Sequence, residues 1–331
     1  MSDSFQAIVA RAQEDGKPRA GLETLSVADL PDEAVLVDVE YSTVNYKDGL
    51  AVTGAAPICQ NLPMVCGIDL AGTVSESRSD AWRPGDRVLV NGYGLSERHW
   101  GGYSQRARVN PDFLVRIPEA FSSEQAMAIG TAGYTAMLAV NAIRDHGVST
   151  ERGPVLVTGA AGGVGSFAVL LLSALGYEVA ASTGRPETAD YLKGLGASTI
   201  VDRADLARSA RPLEKEVWAA AVDSVGSTTL ATTLAQLRYD GIVSACGLAA
   251  GADLPATVLP FILRNVRLQG IDSVMAPMGR RERAWKDLAA LLDPDRFAAV
   301  HQLAPLSQVP DLCAAILAGK IRGRVVIDVN A

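Results

Sequence analysis

The rhythm of apolar positions changes near residue 120. Before it, short apolar runs such as Val35-Leu36-Val37 and Val88-Leu89-Val90 are separated by glycine and proline turns, among them Pro84-Gly85-Asp86. Runs at 35–39, 71–74 and 87–90, punctuated in this way, predict the strands of a compact barrel-like domain rather than a βαβ layer. From Ser122 the stretches lengthen. Ser122 and Ser123 stand as candidate N-caps before an apolar helix, and G-T-A-G-Y-T-A-M-L-A-V predicts another behind it. After Val155 strand and helix patterns alternate. The spacing predicts strands at 155–158, 178–182, 199–201, 219–223, 241–246 and 266–271, with helical stretches between them that include 187–195 and 230–237. Six strands with crossovers make two mononucleotide-binding halves, the doubly wound arrangement. The closing V-V-I-D-V predicts one more strand, which returns to the first domain and makes it discontinuous.

The turn inside this pattern carries the chemistry. Residues 155–166 read V-L-V-T-G-A-A-G-G-V-G-S, a β-branched run entering a glycine-rich turn, with the apolar segment 167–172 leaving it. From Ala160 the turn fits G-x-G-x-x-G with alanine for the first glycine. Gly162 lets backbone approach a pyrophosphate, Gly165 lets the helix pack close to the strand, and the N–H groups of the first helical turn face the anion. Ala161, Gly162, Gly163 and Val164 are therefore candidate cofactor contacts. At the end of the next strand an NAD site expects Asp or Glu for the ribose 2′-hydroxyl. This chain has Ser182, Thr183, Gly184 and Arg185 there. Hydroxyls and a guanidinium suit a 2′-phosphate, because Arg offers a planar fork of donors. NADPH is the expected cofactor. Arg203, after the third strand, is a further candidate for the adenosine-phosphate site.

Composition narrows the class. A chain of 331 residues suits two domains, and its 48% hydrophobic and 20% charged residues are ordinary for a soluble enzyme. The net charge of −7 argues against a nucleic-acid partner, which needs a basic face. Four scattered cysteines without C-x-x-C fit a reducing cytoplasm, and no signal peptide is evident. The nearly uncharged run 153–177 is broken at its centre by glycines, so no membrane span is expected.

The segments V-N-Y-K-D (44–48), G-I-D-L-A-G-T-V (67–74), P-G-D-R-V (84–88), G-G-Y (101–103), G-T-A-G-Y-T-A (130–136) and A-A-G-G-V-G resemble, in this order, the medium-chain dehydrogenase/reductase superfamily. Within it the chain resembles the zinc-free quinone-oxidoreductase branch. W-G-G-Y-S-Q-R-A-R-V (100–109), R-P-L-E-K-E-V-W-A (211–219) and P-F-I-L-R-N-V-R-L-Q-G-I-D-S-V (260–274) bring it nearest the NADPH-dependent acrylyl-CoA reductases. The resemblance implies an α/β chain: a GroES-like catalytic domain over 1–125 and 272–331, and a Rossmann NADPH-binding domain over 126–271. Zinc-dependent relatives carry a Cys near the start of N-Y-K-D, a His-Glu pair after the glycine of G-I-D-L-A-G, and a Cys near the start of G-T-A-G-Y-T-A. Here those places hold Asn45, Ile68 with Asp69, and Gly130 with Thr131. A catalytic zinc needs about three N, S or O ligands, so no metal is expected.

Without a Lewis acid, reduction of an activated C=C bond asks less of a protein than ketone reduction. The resemblance implies that acrylyl-CoA becomes propionyl-CoA by hydride transfer from NADPH. A quinone or 2-alkenal reductase, and a non-catalytic crystallin-like NADPH binder, are the alternatives. Asn45 and Tyr46, with Asp48 behind them, are the catalytic candidates. Tyr46 is expected to pack on the nicotinamide and donate its hydroxyl to the substrate. Leu248, Ile271, Ser273 and Arg324 are expected by resemblance to line the same end of the cofactor. Arg264, Arg267, Arg280, Arg281 and Arg283 are candidates for a patch facing the phosphates of the acyl-CoA thioester. The sixth Rossmann strand, apolar and at a sheet edge, predicts a homodimer.

Overall fold

Alternation of buried and solvent-facing positions sets the sheets of the first unit. In the computed structural model, which describes residues 3–13 and 18–331, this unit holds Met1–Thr131, Ser273–Glu282 and Ala299–Ala331. Its larger sheet runs His301–Pro305, Arg324–Asp328, Val35–Thr43, Asp69–Ser77, Arg87–Asn91 and Val115–Arg116, with Arg106–Val109 also pairing Val35–Thr43. A smaller sheet joins Arg19–Ser26, Ser4–Arg11 and Met64–Val65. Val35, Val37, Val88, Val90, Tyr103, Val325 and Ile327 share one buried core. The tail strand lies antiparallel to Val35–Thr43, with Val326 opposite Thr43. That register brings Arg324 to the start of the V-N-Y-K-D segment.

The second unit holds Ala132–Asp272 and Arg283–Ala298. Six parallel strands run in the order Thr199–Asp202, Val179–Thr183, Val155–Val157, Trp218–Asp223, Leu237–Ala245 and Arg267–Gly270. The order reverses beside the strand that feeds the glycine turn, so the sheet is doubly wound, as expected. The expected strands fall within a few residues of the observed ones. The largest difference is at Leu237–Ala245, which starts four residues before the expected 241 because Leu237 pairs with Trp218 ahead of a register shift. Leu156, Ala180, Ala221, Leu234 and Val243 form the core.

Ser122, rather than Ser123, caps the first apolar helix. Its Oγ accepts from the Gln125 N–H at 3.1 Å, and Gln125 Oε1 accepts the Ser122 N–H at 2.9 Å, a reciprocal capping box. Helix Ser123–Asp145 is interrupted at Gly130 (φ 49°, ψ −159°). By length and composition it would cross a membrane, but 83% of its most apolar window is buried inside the protein. It is a core helix.

Candidate active site

In the second unit, strand Val155–Val157 delivers the chain into a turn that only small residues fit. A Cβ at Gly165 would lie 2.4 Å from the Gly159 carbonyl oxygen, so the helix packs directly on the turn. A Cβ at Gly162 would meet the Gly159 carbonyl oxygen at 3.3 Å, closer than an ordinary contact. Helix Gly163–Ala174 starts from Gly162 with no side-chain cap. Its first N–H groups are thus directed outward, the geometry that receives a phosphate.

The next strand ends beside this turn. Ala160 N–H donates to the Ser182 carbonyl at 3.0 Å, which ties the two segments together. Arg185 N–H donates to Thr183 Oγ1 at 3.1 Å, and Arg185 Nη2 to the Ala161 carbonyl at 3.3 Å. The Arg203 guanidinium lies against Gly184, where a Cβ would meet Cζ at 2.6 Å. Two guanidinium groups therefore flank an exposed glycine next to the anion-receiving turn. These residues fit NADPH: the helix start would hold the pyrophosphate, and Arg185 with Arg203 the 2′-phosphate. Leu248, 62% exposed, and Ile271, whose N–H donates to the Ala245 carbonyl at 2.9 Å, follow the C-terminal ends of the fifth and sixth strands.

In the first unit, V-N-Y-K-D turns from strand into helix Tyr46–Thr53 and anchors a buried polar network. Asp48 accepts the Asn45 N–H at 2.9 Å, Asn45 Nδ2 at 3.2 Å and the Ile68 N–H at 2.9 Å. Asp69 accepts Asn45 Nδ2, Asn91 Nδ2 and the Thr131 N–H, each at 2.9 Å, and the Thr131 hydroxyl at 2.5 Å. Arg324 Nη1 donates to Asn45 Oδ1 at 3.1 Å and to the Val44 carbonyl at 3.0 Å, and Nη2 donates to Thr43 Oγ1 at 2.8 Å. Asn45 thus stands between a buried cation and two buried carboxylates. Burial, with the Asp69 charge adding to it, pushes the Asp48 carboxyl up to about 7 against its three N–H donors. Burial lowers the pKa of the Arg324 guanidinium, and the Asp69 charge opposes that. Tyr46, one residue past Asn45, is 46% exposed.

Of the residues expected from sequence, the structure gathers Ala161, Gly162, Gly163, Val164, Thr183, Gly184, Arg185 and Arg203 at one end of the second unit's sheet. Asn45, Asp48 and Arg324 meet in the first unit. Arg324, 3% exposed, spends its donors on protein acceptors. Ser273 also lies in the first unit, where its carbonyl accepts Arg281 Nη2 at 3.1 Å. Of the expected arginine patch, Arg281, Arg264 and Arg283 are engaged with groups of the protein. Arg281 is 1% exposed, bonded to the carbonyls of Asn91, Val274 and Ala276 and stacked over Tyr93 at 3.7 Å. Arg264 donates to the carbonyls of Ala235, Leu237 and Glu214, and Arg283 pairs with Asp145 at 2.7 Å. Sequence reasoning did not assign a role to Thr43, Asn91 or Thr131, or to Asp69 beyond its failing as a zinc ligand. The one available signal was a carboxylate inside the apolar run G-I-D-L-A-G.

Residues 31–119 match the family described as alcohol dehydrogenase GroES-like domain, and residues 163–293 match zinc-binding dehydrogenase. The chain is 54% identical over 329 residues to the acrylyl-CoA reductase AcuI of Ruegeria pomeroyi, covering 99% of this chain and 100% of that protein. It is 44% identical over 329 residues to the putative quinone oxidoreductase YhfP of Bacillus subtilis, covering 99% of each. The crystal structure of the yhdH oxidoreductase from Salmonella enterica in complex with NADP superposes with a TM-score of 0.96 at 49% identity, covering 98% of this chain and 99% of that one. The zinc in one family description does not fit the residues present. Among the described residues no group of three or more His, Cys, Asp or Glu is placed to hold a metal. Asn45 and Thr131 both donate to Asp69, and the nearby cation is the Arg324 guanidinium.

Proposed function

Because this chain belongs to the medium-chain dehydrogenase/reductase superfamily, we propose that it is an NADPH-dependent acrylyl-CoA reductase that works without a metal. The observation that carries this reading is the full-length likeness to the Ruegeria pomeroyi enzyme. It is supported by two guanidinium groups flanking Gly184, where the ribose 2′-position is read.

Bound NADPH would supply a hydride to the β-carbon of the enoyl thioester, and the α-carbon takes a proton. The chain's own residues do the rest. The open N–H groups at the start of helix Gly163–Ala174 hold the pyrophosphate, and Thr183, Gly184, Arg185 and Arg203 bind the adenosine phosphate. Leu248, Ile271 and Ser273 line the nicotinamide end. Tyr46 presents its ring and hydroxyl to the reacting groups. Asn45 is held by Arg324 on one side and by Asp69 and Asp48 on the other, so its amide keeps one orientation. Arg324 and Asp48 are buried too deeply to meet substrate and act through Asn45. Both Nδ2 hydrogens of Asn45 are spent on Asp48 and Asp69, so Asn45 fixes the turn that carries Tyr46. The Tyr46 hydroxyl is the donor that would stabilise an enolate as charge develops on the thioester oxygen. We place the enzyme in the cytoplasm, which four free cysteines support, and infer a homodimer.

The test is NADPH oxidation by acrylyl-CoA, with a quinone and free acrolein as controls. Steady turnover with acrylyl-CoA and formation of propionyl-CoA are expected. A kcat/KM higher for quinone than for acrylyl-CoA would move the chain to the quinone reductases, and no turnover with any acceptor would make it a binding protein.

A further inference from the structure

In the second unit, the main chain of Arg185 is held on both sides by a pair of buried threonines. Arg185 precedes Pro186, which keeps it out of the helical region (φ −121°, ψ 89°) at the entry to the short helical turn Pro186–Thr188. Its N–H donates to Thr183 Oγ1 at 3.1 Å. Its carbonyl accepts twice from Thr188, from the N–H at 2.9 Å and from the hydroxyl at 2.7 Å. The two threonine oxygens lie 3.2 Å apart, which closes a ring around Arg185.

The direction of every bond in the ring follows. The Arg185 carbonyl can only accept, so the Thr188 hydrogen is spent on it. The Arg185 N–H can only donate, so it takes a lone pair of Thr183 Oγ1. What remains between the hydroxyls is donation from Thr183 to Thr188. Thr183 is 8% exposed and Thr188 4%, too buried for water to replace a missing member readily. Deleting the Thr188 hydroxyl would strip the Arg185 carbonyl of one donor and leave the Thr183 hydrogen without its acceptor. At the far end of the same residue, Arg185 Nη2 reaches the Ala161 carbonyl of the glycine turn at 3.3 Å. With the main chain clamped, only side-chain torsions remain to be ordered when an anion arrives, and ordering paid in advance favours binding.

We propose that Thr188 is a positioning residue for dinucleotide choice, whose hydroxyl holds the Arg185 main chain so that the guanidinium is set for the 2′-phosphate of NADPH. The inference rests on the NADPH reading above and goes beyond it. Thr188 is buried on the protein side of the turn and acts through Arg185. Its hydroxyl therefore matters for the dinucleotide that carries the 2′-phosphate and not for the one that lacks it.

The test compares binding of NADPH and NADH, which differ only in that phosphate, by titration of nicotinamide fluorescence. The proteins are wild type, Thr188→Val, Thr188→Ser, Arg185→Ala and the double variant Arg185→Ala/Thr188→Val. Thermal melts establish folding, and Thr188→Ala deletes the same hydroxyl should the Val variant not fold. Thr188→Val is expected to bind NADPH about three- to tenfold more weakly, the worth of one hydrogen bond, and to bind NADH as wild type does. Thr188→Ser should restore NADPH binding. Beside Arg185→Ala the Val substitution should add nothing, because the group it acts through is gone. An unchanged preference for NADPH in Thr188→Val, with a lowered one in Arg185→Ala, overturns the proposal. Equal weakening for both dinucleotides also overturns it and assigns Thr188 to the fold alone, as does a loss that adds in full to that of Arg185→Ala. A preference untouched by Arg185→Ala removes Arg185 as the reader of the phosphate, and the proposal with it. Wild type that binds NADH as tightly as NADPH would sink the NADPH reading itself.

Discussion

At the residue scale, Asp48 sets the pH response of the first unit. Its carboxyl is pushed up to about 7, mainly by burial and further by the Asp69 charge. The sign follows from linkage. Between the ordinary carboxyl value near 4 and about 7, the folded chain keeps a proton on Asp48 that the unfolded chain releases. Stability therefore falls as pH rises through that window, by up to about 1.4 kcal/mol per pH unit from this group, and levels off above it. Asp48→Asn should be less stable overall, because its amide cannot accept from both Asn45 and Ile68. It should also lose this slope. Urea unfolding of both proteins from pH 5 to pH 8 checks it; parallel curves would show that Asp48 is not the titrating group. Asn45 and Asp48 are close in sequence, so their pairing was legible in V-N-Y-K-D. Asp69 and Thr131 lie 62 positions apart, and no local pattern reports a contact made by tertiary folding.

At the scale of elements, the parallel sheet was legible because each strand is an apolar run bounded by turn residues, and periodicity needs no partner to be seen. What escaped were features decided by packing. The start of Leu237–Ala245 depends on pairing with Trp218, and the loss of Arg264 and Arg281 from the expected patch depends on which carbonyls each guanidinium reaches. Gly130 shows packing acting on one helix. Its φ of 49° disfavours any side chain, and a Cβ would meet Arg324 Nη2 and Thr43 Cγ2, each at 2.8 Å. Both neighbours are pinned by hydrogen bonds, so neither gives way cheaply. Gly130→Ala should destabilise by about 1–3 kcal/mol, the usual range for overpacking a filled site. It should also lower turnover, because the displaced Arg324 no longer holds Asn45. Denaturant midpoints and kcat measured on the same preparation decide this; a loss of stability with kcat unchanged would mean that Arg324 serves the fold alone.

At the scale of the molecule, the second unit leaves a surface that water does not favour. Strand Arg267–Gly270 ends the six-stranded sheet with one edge unpaired among the described residues. Next to it in sequence, helix Leu259–Arg264 exposes Ile262 at 67% and Leu263 at 58%, with Val258 before it at 66%. An open edge offers N–H and C=O groups to another strand, and single chains usually blunt such edges with charge or cover. Here the flanking residues are large and apolar, and contiguous exposed apolar groups mark an interaction face. A second copy supplies the matching edge and the matching apolar helix through a two-fold axis, which makes each patch its own complement. We therefore expect a dimer at micromolar concentration. Ile262→Asp would bury a carboxylate against its symmetry mate, and Gly270→Pro would remove a backbone donor from the free edge, since Ile271 and therefore Gln269 direct their N–H groups to the neighbouring strand. Both should shift the mass measured by light scattering after size exclusion from two chains to one, with NADP⁺ binding retained. A wild-type protein that elutes as a single chain at those concentrations would leave this surface free for a different partner and end the dimer proposal.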